Sequence, residues 1–382
     1  MQDTFSKNYA VKANKNFKYV FLLFGLSISP PQGRCYRWLL LIAFLLCFSC
    51  QLIGFIHVVV TITAYFLNNK LNTEGILILI SYILTIFPAL LTYIYVYFRR
   101  FAISSVLQKL SDLSSSKTFT KNQWRKQMFQ MILFTLLHLI LIITLLKTFI
   151  TNQPFLEWVC VIRLISKKNC KDPSTLTKFG FGICLMTEIV FFNFFSHLFL
   201  STIFCFFSHI CTLVVLHFQQ MDDTINRIIN AKLFVSSDKL TKFERDFFVG
   251  ERMTNEVSRI FSSILLIWWS NLLVRVCLRF RISLKAASGT FGGFIELFIE
   301  ILRLYVLYKK ASAINKKANL VSQNFASLKL MDGVNFRNNH TYFHVLSTHV
   351  GISVSDLFLI NSQTILTVMA NIFTYAVIMF QT

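Results

Sequence analysis

Seven stretches of mainly apolar residues, most about twenty residues long, constrain the fold of this chain more than any other feature. They cover residues 38–67, 76–97, 131–150, 182–216, 260–276, 287–308 and 357–380. About twenty residues of α-helix cross the hydrocarbon core of a bilayer. Backbone groups in lipid must be hydrogen-bonded within their own segment, and the sequence lacks the repeats of a β-barrel. The sequence therefore predicts an all-α, polytopic membrane protein with seven transmembrane helices.

The composition supports this class. Of the 382 residues, 55% are hydrophobic, only 14% are charged and 42 are Phe. Soluble domains carry about 25% charged residues. The net charge of +21 is therefore attributed to basic loops rather than to nucleic-acid binding, and no nucleic-acid partner is predicted.

Basic residues are sorted between the two sides of the predicted spans. The N-terminal segment and the 98–130, 217–259 and 303–356 loops together hold 27 of the 38 Lys and Arg residues. Because cytosolic loops carry the excess of Lys and Arg, the N-terminus is predicted to be cytosolic and the C-terminus extracellular. This orientation excludes a G-protein-coupled receptor, whose N-terminus is extracellular.

Three units are expected along the chain. They are a cytosolic N-terminal segment held at the membrane by its basic residues (1–37), six transmembrane helices with a ligand pocket and cytosolic helical extensions (38–356), and the seventh transmembrane helix (357–382). Within the second unit, the stretch 221–234 places apolar residues at helical spacing. It favours helices that continue into the cytosol and pack there. A helix lying on the inner leaflet is the alternative.

No enzyme motif is present, so the chain is predicted not to be an enzyme and to carry no cofactor. His340 and His344 stand one helical turn apart, near His349. This spacing suits a metal, but no acidic or thiol partner accompanies them, so no metal site is predicted. Cys160 and Cys170 share one loop. If that loop is extracellular, the two cysteines either form a disulfide or remain free thiols, and both possibilities stay open.

Ionisable residues inside predicted spans are costly in lipid and mark candidate functional sites. Glu188 and Arg275 are at similar depth near the outer ends of their spans, so a pair between them is predicted. With the residues around it, this pair would line a cavity open to the outside. The candidate ligand-binding residues are Glu188, Asn193, Trp268, Asn271, Arg275 and Glu296. A structural ion pair among core aromatics is the alternative for each.

The last span carries a polar stripe. Its residues Thr364, Thr367, Asn371, Thr374, Ile378 and Gln381 follow 3-4-3-4-3 spacing, which aligns them on one face of a helix. Such a stripe serves either as interhelical hydrogen-bonding contact or as the wall of a water-filled pore. Because one helix cannot enclose a pore, the pore interpretation requires several copies of the chain around an axis.

Thr374 and Tyr375, followed by five apolar residues and Gln381, resemble the Thr-Tyr-x5-Gln-Phe signature in the last span of insect gustatory receptors. Seven spans, a cytosolic N-terminus and basic inner loops fit the same family. Thr382 stands at the position of the signature's Phe, which leaves the gate residues unassigned.

The resemblance implies a gustatory chemoreceptor of the divergent, largely bitter-sensing group, located in the plasma membrane. It would be a tastant-gated, non-selective cation channel, built as a homo- or heterotetramer with related receptor subunits. The last helix of each subunit would line the pore, and the tastant would bind in an outward-open pocket among helices 2–6. The competing interpretation is a polytopic transporter or a lipid-handling enzyme without recognisable catalytic motifs.

Overall fold

The computed structural model describes residues 3–28, 33–67, 73–114, 119–151, 195–285, 291–328, 345 and 349–381. Its secondary-structure elements there are helices and one short hairpin. The elements are α1 (Asp3–Leu23), α2 (Arg34–Leu67), α3 (Thr73–Ser114), α4 (Lys121–Thr151), α5 (Phe195–Asn230), α6 (Ser237–Lys285), α7 (Phe291–Ala326), β1 (Ser353–Val354), β2 (Phe358–Leu359) and α8 (Ser362–Gln381). The all-α prediction is confirmed.

The helices follow the predicted spans. α2 to α7 contain, in order, the described parts of the first six spans. Within the described residues, α2 to α6 are long and apolar enough to cross a membrane by length and composition. The helix α7 carries three charged side chains in its span, and their burial inside the bundle is described below.

Helices α5, α6 and α7 are longer than a bilayer requires. They contain 36, 49 and 36 residues, and α6 is therefore ~74 Å long at ~1.5 Å per residue, against ~30 Å of hydrocarbon. The apolar face predicted for 221–234 is partly realised, since Met221 and Ile225 are buried. Leu233 is 55% exposed because α5 ends at Asn230 and the chain turns away.

The N-terminal helix α1 belongs to the bundle rather than lying apart at the membrane surface. Phe17 and Phe21 are buried, and both rings contact Phe206 of α5 edge-on. Beyond α1, the chain turns at Gly25, whose φ is +69. A Cβ at this position would lie 2.5 Å from the backbone nitrogen of Phe44 in α2. Only glycine allows this close approach.

The hairpin β1–β2 precedes the last helix and shortens it. Val354 pairs with Phe358, and the turn between them holds Ser355 and Asp356 at φ of 46 and 57. The predicted seventh span begins at residue 357, but α8 begins only at Ser362. The turn chemistry overrides the apolar character of the 357–360 segment, because an αL turn cannot be part of an α-helix.

Candidate functional site

A cluster of charged and polar side chains is buried where α4, α5, α6 and α7 meet. We call it the charge cluster. Its members are His138, His197, Ser201, Arg275, Arg279, Glu296, Glu300 and Arg303, and each is at most 9% exposed. Charges inside a membrane bundle are expensive unless they are paired, so the pairing of these groups decides what the cluster can do.

Arg303 is the fully bonded part of the charge cluster. Its Nη1 donates to Glu300 Oε1 at 2.9 Å, and Nη2 donates to the carbonyl of His197 at 2.8 Å. Its Nε donates to Ser201 Oγ at 3.2 Å. These bonds tie α7 to α5 at the depth of the cluster.

His138 extends this bonded part to α4. Arg303 Nη2 lies 3.3 Å from His138 Nε2. A guanidinium only donates, so Nε2 accepts and the hydrogen of the neutral ring is on Nδ1. That nitrogen faces the carbonyl of Phe134, which accepts the hydrogen bond. His138 is therefore held as the neutral imidazole.

Arg275 and Arg279, one turn apart on α6, share the carboxylates of α7. Arg275 Nη1 lies 3.1 Å from Glu300 Oε1, and its Nη2 lies 3.5 Å from Glu296 Oε1. Arg279 Nη2 lies 2.6 Å from Glu296 Oε2. His197 Nε2 is 3.7 Å from the same Glu296 carboxylate. The cluster thus links α5, α6 and α7 through one carboxylate.

The structure brings together some of the candidate ligand residues. Arg275 and Glu296 are partners, and Asn271 is buried one turn before Arg275 on the same helix. Trp268 is also buried, but its indole N–H donates to Thr92 Oγ1 at 2.9 Å. Its ring lies against Phe204, with centroids 4.6 Å apart. Trp268 therefore has the contacts of a core residue that joins α3, α5 and α6.

Several predicted residues lie outside the described part of the chain. They are Glu188, Asn193, Cys160, Cys170, His340 and His344. The Glu188–Arg275 pair and the Cys160–Cys170 disulfide therefore stay predictions. Within the described residues, no group of three metal-ligating side chains could hold a metal ion.

Sequence reasoning missed part of the charge cluster. Arg279 and Arg303 were assigned to loops on opposite sides of the membrane, but they are only 8% and 1% exposed. Arg279 and Arg303 were counted on opposite sides of the membrane, so leaving both out of the count of basic loop residues does not change the predicted orientation. A readable signal existed, because Asn271, Arg275 and Arg279 follow i, i+4, i+8 spacing on α6. On α7, the charged residues Glu296, Glu300 and Arg303 follow a similar spacing of i, i+4 and i+7.

The predicted pore stripe lies on α8. Unlike the other residues of the stripe, Thr364 caps the start of the helix through two mutual hydrogen bonds with Asn361. The Thr364 backbone N–H donates to Asn361 Oδ1 at 2.9 Å, and the Asn361 N–H donates to Thr364 Oγ1 at 3.0 Å. This capping arrangement fixes the start of the helix.

Farther along α8, the stripe is exposed on the surface of the single chain. Thr367, Asn371, Thr374 and Ile378 are all exposed. The hydroxyls of Thr367 and Thr374 donate to the carbonyls four residues earlier, at 3.2 and 3.0 Å. Because their hydrogens are used within the helix, these hydroxyl oxygens can only accept further hydrogen bonds, and they point away from the bundle. The side chain of Gln381 lies outside the described part of the structure.

The other faces of α8 are distinct from the stripe. Val368 is buried and Ile372 is packed on the core, where α8 lies against α6. At ~100° per residue, the stripe lies about 110° around the helix from this packed face. A third, apolar face carries Leu366 and Met369, which are 72% and 46% exposed. One face of α8 thus contacts its own chain, while the described residues leave a polar and an apolar face uncovered.

The helix α6 connects the charge cluster to α8. On the N-terminal side of the cluster along α6, Ser262 Oγ accepts the backbone N–H of Ser355 at 2.7 Å, and Ser258 Oγ accepts that of Ser353 at 3.0 Å. The ring of Trp269 lies against Phe358, with centroids 5.1 Å apart. The same helix therefore carries two arginines of the cluster and holds the hairpin from which α8 starts.

The fold is similar to that of an insect olfactory receptor of known structure. The chain is similar to the olfactory receptor OR5 of Machilis hrabei in complex with eugenol, with a TM-score of 0.71, 12% identity and coverage of 97% of this chain and 99% of that one. The structure of the same receptor described without eugenol gives a TM-score of 0.70, also at 12% identity. No family model matches the chain, and no curated protein matches it in sequence.

At this identity the likeness concerns the fold, and it extends over nearly the whole chain. It supports an all-α, polytopic architecture.

Proposed function

We propose that this chain is a subunit of a ligand-gated, non-selective cation channel, a gustatory chemoreceptor that opens in response to a tastant. The observation that carries the proposal is the polar face of α8, which the described part of the chain leaves uncovered. A polar face on a lipid-length helix needs water or another subunit against it. Copies of α8 around a common axis supply both.

The chemistry of the polar face suits cations. Thr367 and Thr374 use their hydroxyl hydrogens within the helix, so they present lone pairs outward. Asn371, exposed between them, adds an amide oxygen. No Lys, Arg, Asp or Glu occurs from 357 to 382. Oxygen dipoles can replace part of a cation's hydration shell and so lower the cost of dehydrating it.

The apolar face of α8 fits the assembly that this pore requires. Leu366 and Met369 would meet lipid or a neighbouring subunit, while the polar stripe faces the axis. We infer a homo- or heterotetramer with related receptor subunits in the plasma membrane. The gustatory assignment depends on Thr374, Tyr375 and Gln381, which match the family signature. The structural neighbours are olfactory receptors, so odorants are the alternative class of ligand.

The ligand is proposed to bind in the outer half of the bundle, beside the charge cluster. Helix α6 would transmit its effect. Arg275 and Arg279 would contact the bound ligand. On the same helix, Ser258 and Ser262 hold the hairpin that precedes α8. A rotation or tilt of α6 would therefore move the start of the pore helix. A rigid element that contacts both sites is a physical basis for such coupling.

The test is electrical. The chain is expressed in a cell without endogenous receptors, alone and together with related subunits, and tastants are applied while cation current is recorded. The proposal expects a ligand-evoked, weakly selective cation current. Surface-expressed chains that carry no such current in any subunit combination would overturn it. Tags on the two termini provide a second check, since an intracellular C-terminus is incompatible with the proposed topology.

A further inference from the structure

The charge cluster contains more positive than negative charge. Among the described side chains it holds three guanidiniums, Arg275, Arg279 and Arg303, against the two carboxylates Glu296 and Glu300. The two histidines do not reverse the net positive charge of the cluster. His138 is neutral by its hydrogen bonds, and a protonated His197 would only enlarge the surplus. An uncompensated buried charge is strongly unfavourable.

The surplus can be located on one edge of α6. The Arg303 guanidinium is bonded at all three nitrogens. By contrast, Arg275 Nε and Arg279 Nε are buried and have no hydrogen-bond partner among the described residues. The two residues are one helical turn apart on α6, so their Cα atoms are separated by ~6 Å along the helix axis. An oxygen-bearing anion beside this edge could accept from both.

Other buried atoms beside the same edge also have no hydrogen-bond partner among the described residues. Asn271 Oδ1, one turn before Arg275, lacks a donor, and His197 Nδ1 lacks a partner across from it on α5. In folded proteins most buried polar atoms are hydrogen-bonded. Several unbonded atoms around one edge therefore indicate a site that is completed by another molecule.

We propose that the edge formed by Arg275 and Arg279 binds the carboxylate of an anionic ligand, so that the receptor responds to small monocarboxylic acids. The carboxylate would accept hydrogen bonds from both Nε–H groups and neutralise the surplus charge. In an acid that also carries a hydroxyl or amino group, Asn271 Oδ1 would accept a hydrogen bond from that group. This inference rests on the proposed function and adds the ligand's charge to it.

The chain itself holds a competing carboxylate. Glu188 is predicted at similar depth to Arg275 and lies outside the described residues. A side-chain carboxylate and a ligand carboxylate have the same chemistry, so the experiment must distinguish between them.

The probes are straight-chain monocarboxylates from acetate to octanoate, each compared with its primary amide. Binding is measured by the thermal stabilisation of the purified full-length protein in lipid nanodiscs. This readout does not depend on current. We expect the acids to stabilise the protein and the amides, which have nearly the same shape but no charge, to have little effect.

Two variants of the cluster should shift the affinity in opposite directions. Arg279→Gln removes one donor and one positive charge and should weaken acid binding by about tenfold or more. Glu296→Gln removes a competing negative charge and should strengthen it. Arg252→Gln is the matched control, because Arg252 is on the same helix with its side chain 79% exposed. A purely structural cluster would give losses for both cluster variants. If Arg279→Gln fails to fold, the opposite sign of Glu296→Gln still tests the inference.

Three outcomes would overturn the inference. Acids and amides could stabilise the protein equally, no acid could bind, or acids could bind only after Glu188→Gln, which would mean that Glu188 fills the site. The channel proposal fails separately. Acid binding without any evoked current would contradict the channel alone, and current evoked only by neutral tastants would contradict the anion site alone.

Discussion

Arg275 Nη1 lies 3.1 Å from Glu300 Oε1, and both side chains are completely buried. The two residues come from different helices, and Glu300 also receives a hydrogen bond from Arg303. A single carboxylate thus balances two guanidiniums in the interior of a membrane bundle. This relationship makes Glu300 the residue on which the stability of the cluster depends most.

Glu300→Gln should destabilise the protein severely. The amide keeps the shape of the side chain but leaves two buried guanidiniums without their shared counter-charge, at a cost of about 3–5 kcal/mol. Thermal unfolding of the detergent-solubilised protein measures the effect. Glu251→Gln in the N-terminal part of α6, where the side chain is only half-buried, serves as the control and should change stability by less than ~0.5 kcal/mol. Equal melting temperatures for the two variants would mean that the cluster is hydrated and contributes little.

Cysteines on the polar face of α8 should react with a charged thiol reagent applied from outside. We expect Asn371→Cys and Thr374→Cys to be modified in the open channel and to lose about half of the evoked current or more, because only a water-filled lumen admits the reagent. Met369→Cys, on the nearly opposite face, should be unaffected, and the unsubstituted chain gives the background from its native cysteines. Modification at Met369 and protection at Asn371 would reverse the assignment of the pore face.

Ser262→Ala should weaken the coupling between ligand and pore. It removes the acceptor for the partly buried Ser355 backbone N–H, and an unpaired N–H costs ~1–3 kcal/mol when it is fully buried. The dose–response curve should shift to higher ligand concentration by about tenfold, with single-channel conductance unchanged. Ser263→Ala is the matched control, since the neighbouring Ser263 is exposed. A change in conductance without a shift would place the hairpin in the permeation path instead.

Trp268 and Thr92 should be coupled in stability but not in ligand response. Trp268→Phe and Thr92→Val each break the hydrogen bond between them, and a double-mutant cycle should return a coupling of about 1 kcal/mol. Neither variant should change the ligand concentration for half-maximal current by more than ~2-fold, because the indole N–H is already used inside the core. If Trp268→Phe shifts the ligand concentration for half-maximal current more than Thr92→Val does, Trp268 contacts the ligand after all.

Much of the architecture is readable from the sequence. Apolar runs of bilayer length predicted α2 to α7, since twenty apolar residues have few other stable environments. The 3-4 spacing predicted which residues of α8 share a face, because helical geometry alone fixes that relation. The start of α8 was predicted wrongly, at 357 instead of Ser362. An apolar count does not register the αL turn at Ser355 and Asp356.

The partners of the buried charges could not be predicted in the same way. Apolar length, charge sorting and helical spacing are local properties, so the sequence by itself determined the class, the spans and the polar face of α8. Arg303 meets His138 across 165 positions of chain, and Arg279 leaves its predicted loop to pair with Glu296. Which ions pair depends on the rotation and tilt of packed helices. Only the tertiary structure decides those, because they result from the fit of all the facing side chains together.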